Sequence, residues 1–113
     1  MYEGHPNLLP AYFEGDPAAA ELGDTFVRKP LYSREGQNIE LQRDGKREMP
    51  HPGDYGSEGH IVQAYQPLPE FNGNYPMAGC WLVASQPAGM CIREDQTLIT
   101  GDDARFIPHV ILD

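Results

Sequence analysis

Three stretches of the sequence carry residue types and spacings that could do chemistry. The first is Val27-Arg-Lys-Pro-Leu-Tyr-Ser-Arg-Glu-Gly-Gln-Asn38. It places Lys29 on a short strand and follows it with a polar loop containing Glu35 and Gly36. A phosphate-rich ligand needs that pairing, because a lysine neutralises phosphate oxygens while the N–H groups of a slim loop wrap them. Gly36 allows close backbone approach. The same stretch also reads as a strand and polar turn whose charges sit in water. The second is Gly59-His-Ile-Val-Gln-Ala-Tyr-Gln66, a strand whose end could line a slot for a flat heterocycle through main-chain donors and acceptors. It reads equally as an ordinary sheet strand. The third is Cys91-Ile-Arg-Glu-Asp95. Arg93 could stabilise charge on a transferring phosphoryl group or form an ion pair with an aspartate at a strand end. His5, His51, His60 and His109 show no metal-ligand spacing, and no P-loop or Gly-x-Gly-x-x-Gly pattern occurs.

The elements that must position these residues are short. A helical turn is expected across Leu8–Phe13 in an otherwise irregular stretch 1–17, and a helix of one to two turns from Pro17, capped by Asp16 and ended by Gly23. Phe26–Tyr32 reads as a strand broken near Pro30, at an edge or a strand end. Asn38–Arg43 alternates apolar and polar residues as a half-buried strand does, and Asp44-Gly45 signals a tight turn. Residues 46–59 are expected to be a mobile loop. His60–Gln66 is a further strand, and Asn72-Gly73-Asn74 a further turn. Tyr75–Ala84 and Met90–Arg93 are expected to fold back at Ser85–Gly89, and Phe106–Leu112 forms a last apolar segment. Met77–Ala84 is apolar or small on both faces, and such a strand needs cover from two sides. A neighbouring copy is one source of that cover, so self-association is expected.

Length permits one domain with a core, in 113 residues. Gly and Pro supply 12 and 11 residues, 23 in all, roughly double the usual share. Such a chain is made of short strands joined by turns, or is part of something larger. Eight Lys and Arg stand against 17 Asp and Glu, a net charge of −9, which disfavours nucleic acid and anionic membrane as partners. No apolar run approaches a transmembrane span. Cys80 and Cys91 flank a hairpin; reduced core residues are expected, with a disulfide as the alternative. The N-terminal residues lack the pattern of a signal peptide, and the cytosol is the expected compartment.

Taken in order, Val-Arg-Lys-Pro-Leu…Arg-Glu-Gly-Gln-Asn, Ile-Val-Gln-Ala-Tyr…Leu-Pro, Asn-Tyr-Pro…Gly-Cys-Trp-Leu-Val, Gly-Met-Cys-Ile-Arg-Glu-Asp and Arg-Phe-Ile-Pro-His resemble the C-terminal end of glutathionylspermidine synthase-like proteins. His5-Pro-Asn-Leu-Leu-Pro-Ala-Tyr-Phe13 fits the same family, so the resemblance covers nearly the whole chain. It implies an α+β fold class: a mostly antiparallel β fragment of an ATP-grasp fold, with residues 1–113 one partial domain. It also implies an ATP-dependent carboxylate–amine ligation through an acyl phosphate. Its partners would be ATP, a glutathione-like peptide and a polyamine or other amine. By matched position, Lys29 resembles the lysine that contacts ATP phosphates, and Glu35 and Gly36 the loop that closes over the nucleotide. Gln63, Ala64, Tyr65 and Gln66 resemble the adenine-lining segment, Leu98 an apolar nucleotide contact, and Arg93 the catalytic arginine. The family's Mg2+ ligands would lie upstream, which makes this portion alone an inactive ligase. The alternative is a stand-alone acidic, β-rich interaction module without catalysis.

Overall fold

The structure, a computed structural model, describes residues 4–112, so the first three residues of the expected irregular stretch lie outside it. The chain forms two compact units, residues 1–66 and 67–113. Both are antiparallel β. Among the described residues the helical content is one 3-10 helix, Pro17–Leu22, and no α-helix. Asp16 caps that helix by accepting from the Ala18 N–H, Pro17 occupies its first turn, and Gly23 closes it with φ 67°.

Unit 1 is a five-stranded sheet ordered β1-β5-β2-β3-β4. Its strands are β1 (Ala11–Phe13), β2 (Phe26–Pro30), β3 (Glu40–Arg43), β4 (Lys46–Glu48) and β5 (His60–Ala64). Two expectations are corrected here. Leu8–Phe13 is not a helical turn: Pro10 removes a donor and disfavours helix before it, and Ala11–Phe13 pairs with Ile61–Gln63 instead. Residues 46–59 are not loop throughout: Lys46–Glu48 pairs with Leu41–Arg43. The turn between them has φ 52° at Asp44 and 73° at Gly45, the two positive angles that a tight two-residue hairpin requires. The expected break at Pro30 is found, as Pro30 ends β2; the strand itself is central, between β5 and β3.

Register assigns the faces, since partners across an antiparallel ladder share one. Phe26 and Arg28 lie with Val62, Ala64, Glu40 and Gln42; Val27 and Lys29 lie with Ile61, Gln63 and Leu41. Leu41 is 1 % exposed and Val62 is also buried, so the apolar core of this unit is thin. On the first face Arg28 acts as a clamp. Its Nε and Nη2 donate to the two carboxylate oxygens of Glu14 at 2.6 and 3.0 Å, its Nη1 donates to Glu40 at 3.0 Å, and its Nη2 lies 3.0 Å from His60 Nδ1. The chain after β1, β3 and β5 are thereby tied to β2. The pair with Arg28 holds the Glu14 carboxyl below its ordinary range.

Unit 2 is a three-stranded sheet of β6 (Tyr75–Val83), β7 (Gln86–Asp95) and β8 (Arg105–Ile107). The expected Asn72-Gly73 turn is present, with φ 52° and 78°. The fold-back is not at Ser85–Gly89. It is a two-residue turn at Ala84 and Ser85, with φ 49° and 63°, and Gln86–Gly89 are already in β7. The stretch read as buried on two faces is exposed over its second half: Trp81, Leu82 and Val83 are 65, 69 and 63 % exposed. Cys80 and Cys91 are both free. They cannot face each other, because Cys80 pairs with Met90 and Cys91 with Gly79, on opposite sides of the hairpin. No helix of the described residues is long and apolar enough to cross a membrane.

Two measurements test this account of unit 1. Leu41→Ala is expected to lower its stability by about 2–4 kcal/mol, read as a shift of the denaturant midpoint with an unchanged slope. Because the folded pKa of Glu14 is depressed, its contribution is present above the ordinary carboxylate value of 4.5 and is lost as pH falls through the folded value. Glu14→Gln is therefore expected to cost about 1 kcal/mol at neutral pH, a figure kept small because Glu14 is nearly half exposed, and to flatten the acid side of the stability profile.

Candidate functional site

Period-two alternation gives Lys29 the face opposite the Arg28 clamp. Its Nζ donates to Gln63 Oε1 at 2.5 Å. Gln63 pairs with Val27 in the ladder, which places it diagonally across from Lys29, within reach of a long side chain. Lys29 is half-buried, and burial lowers its pKa from 10.5. Among the described residues it forms no ion pair, so its charge meets a neutral amide rather than a carboxylate. Ile61, directly opposite Lys29, lines a cleft of about 990 Å3 together with Leu8, Leu9 and Phe13.

The loop after β2 has the backbone that close approach to a ligand needs. Glu35 and Gly36 both lie in the left-handed region, with φ 55° and 73°. The glycine adopts it without penalty; the glutamate does so at a cost of order 1 kcal/mol. Gln37 N–H donates to Arg34 O at 3.0 Å and Ile39 N–H to Gly36 O at 3.3 Å, which rounds the loop. The Glu35 carboxylate lies 2.6 Å from Arg34 Nη2.

The segment Gln63–Gln66 is divided by the ladder. Gln63 is paired on both sides, with Ala11 and Val27, and Ala64 pairs with Phe26 while its N–H donates to Pro10 O at 2.9 Å. A main-chain reading of a base therefore falls to Tyr65 and Gln66, which lie past the end of β5. The sequence alone did not separate these two pairs, because β1 was not visible in it as a strand.

Arg93 and Leu98 belong to unit 2, whereas Lys29, Glu35, Gly36 and residues 63–66 belong to unit 1. Arg93 Nη2 donates to Gly101 O at 2.7 Å, and its guanidinium stands 5.6 Å from the centroid of the Phe106 ring, within cation–π range. Its Nε is buried with no hydrogen-bond partner among the described residues. Asp95 fixes the following loop: Oδ1 accepts from Thr97 N–H at 3.1 Å and Oδ2 from Gly101 N–H at 2.8 Å. Gly101 is thus gripped at its N–H by Asp95 and at its carbonyl by Arg93, and Leu98 sits half-buried inside the loop so formed. Asp95 entered the sequence reading only as a possible ion-pair partner. The Asp-x-Thr spacing that lets a carboxylate accept from the N–H two residues on was a usable signal.

Among the described residues no group of three or more His, Cys, Asp and Glu could hold a metal ion. The donor set present here does not fit the Mg2+ that the sequence resemblance implies.

Comparison with known proteins gives a coherent picture. Residues 1–112 match the family described as glutathionylspermidine synthase preATP-grasp. A proposed acid–amine ligase of Haemophilus influenzae is 40% identical over 117 residues, covering 96% of this chain and 29% of that protein. The trypanothione synthetase of Crithidia fasciculata is 33% identical over 104 residues, covering 90% of this chain and 16% of that protein. The chain spans under a third of the length of either curated relative. It belongs to the glutathionylspermidine synthase preATP-grasp family.

Proposed function

We propose that this chain is the nucleotide-facing, C-terminal portion of an ATP-grasp carboxylate–amine ligase, inactive by itself. The observation that carries the proposal is Lys29: a half-buried ammonium, bonded to the neutral Gln63 amide, on a strand that leads directly into a loop with two consecutive left-handed residues. A buried charge without a counter-ion is unfavourable unless a ligand supplies one. An ATP phosphate supplies it, and the Glu35–Gly36 loop closes beside it. Ala64, Tyr65 and Gln66 line the adenine, with the main-chain contacts made by the last two; Leu98 is assigned an apolar nucleotide contact by matched position alone.

In the reaction, a carboxylate oxygen of a glutathione-like peptide attacks the γ-phosphorus of ATP. The bond from that phosphorus to the bridging oxygen breaks, and ADP leaves. A polyamine or other amine nitrogen then attacks the acyl carbon, phosphate leaves with its oxygen, and the nitrogen loses a proton. Arg93, by matched position alone, is the residue assigned to stabilising the transferring phosphoryl group. No step is assigned to Mg2+, for which these residues offer no ligand set. Inactivity of the chain alone follows from that missing charge complementarity, because phosphoryl transfer is mostly positioning and neutralisation. The exposed Trp81-Leu82-Val83 strand end favours a second reading, an acidic docking module without catalysis, which predicts no response to nucleotide.

Calorimetry with Mg-ATP on this chain separates the two. Binding is expected, and Lys29→Ala should weaken it roughly tenfold to a hundredfold, the worth of a charge-assisted hydrogen bond; an unchanged affinity would remove Lys29 from the site. Raising the pH should weaken binding earlier than it would for an ordinary lysine, because burial has lowered the Lys29 pKa. For the whole ligase the measurement is ADP release with glutathione-type peptides and a panel of amines. Release that never depends on an amine rules out the ligation.

A further inference from the structure

Asn38 closes the Arg34-Glu-Gly-Gln-Asn38 loop and is held from outside it at two points. Its N–H donates to His51 O at 2.9 Å, and its Oδ1 accepts from Tyr55 N–H at 2.9 Å. Its Nδ2 also lies 3.8 Å from Met49 Sδ. Its φ is 56°, in the left-handed region that asparagine tolerates better than most side chains. Between the two anchor points, Gly53 approaches so closely that a Cβ there would stand 2.6 Å from Gln37 Oε1 and 3.1 Å from Asn38 Oδ1. Residues 49–55, part of the stretch 46–59 expected to be a mobile loop, therefore wrap this one asparagine.

We infer that Asn38 is a positioning residue: it fixes the Glu35–Gly36 loop in its nucleotide-binding shape by fastening it to residues 49–55. The inference rests on the nucleotide reading of Lys29 and its loop. Asn38 itself touches no phosphate. It acts because Ile39 N–H closes on Gly36 O within the same loop, so the position of residue 38 sets that of residue 36. Loss of one acceptor that orders two loops should change affinity by about tenfold.

The test uses the whole chain, amide hydrogen exchange and Mg-ATP calorimetry. Asn38→Gly keeps the left-handed backbone and removes the acceptor; Asn38→Ala disturbs both; Asn38→Asp keeps the acceptor oxygen. The expected result is that Tyr55 amide protection and Mg-ATP affinity fall together, each about tenfold, in N38G and N38A. N38D should hold Tyr55 protection within about threefold, and the Val62 amide in the sheet should exchange unchanged in all three. Full nucleotide affinity in N38G and N38A with an unprotected Tyr55 amide overturns the inference and leaves Asn38 a loop fastener only. No Mg-ATP binding by the unsubstituted chain overturns the nucleotide reading itself, and this inference falls with it.

Discussion

A β-strand sends neighbouring side chains to opposite faces, and unit 1 is organised around that constraint at β2. Arg28 and Lys29 are adjacent cations with opposite surroundings. Arg28 meets two carboxylates and an imidazole; Lys29 meets one amide oxygen. A register slip of one residue would exchange them. What prevents the slip is the Arg28 clamp as much as the thin apolar layer, because Glu14 and Glu40 come from opposite sides of β2 and a shifted strand would present Lys29, which lacks the planar fork that binds a carboxylate through two parallel bonds. The structural role of one residue thereby secures the orientation of the next.

The turns show how much of the fold was legible in the residues. Asp44-Gly45 and Asn72-Gly73 are read directly, because those residue types accept positive φ and both positions need it. Ala84 and Ser85 have no such preference, so the hairpin turn was expected where glycine and proline cluster, at Ser85–Gly89. The long β6–β7 ladder overrides the local signal: nine pairs from Tyr75↔Asp95 to Val83↔Gln86 outweigh the cost of two strained turn residues. The same blindness to pairing explains β1 and β4. Each is three residues long, lies at a sheet edge and carries no alternation strong enough to announce it. Of the two, β4, Lys-Arg-Glu, is the charged kind of edge that discourages pairing with other chains.

The candidate site was legible as residue types and illegible as geometry. Lys29 and the loop with Gly36 could be named from order and residue type, Gln63 through the family resemblance, and the Lys29–Gln63 contact joins two of them. The division of residues 63–66 into laddered and unladdered pairs depends on β1. The grip of Asp95 and Arg93 on Gly101 depends on a loop closing back over its own strand. Contacts of this sort are set by tertiary closure rather than local pattern, and no periodicity encodes them.

Net charge bears on whether such a chain can take an anionic ligand at all. At −9 the average field opposes ATP, yet exposed charges beyond about 10 Å are largely screened at physiological salt, so the local arrangement decides. Here five of the glutamates are already engaged: Arg28, Arg34, Arg43, Arg47 and Arg105 each lie within ion-pair distance of at least one of them. Those pairs are local and nearly neutral, and most are exposed enough to contribute little stability. Their larger effect is to quiet the acidic background. Lys29, half-buried and facing an amide, is then the cation whose charge an incoming phosphate would meet at short range in a medium less polarisable than water. An acidic protein can bind an anion in this way when its unpaired carboxylates are screened by solvent and a half-buried cation is kept apart from them.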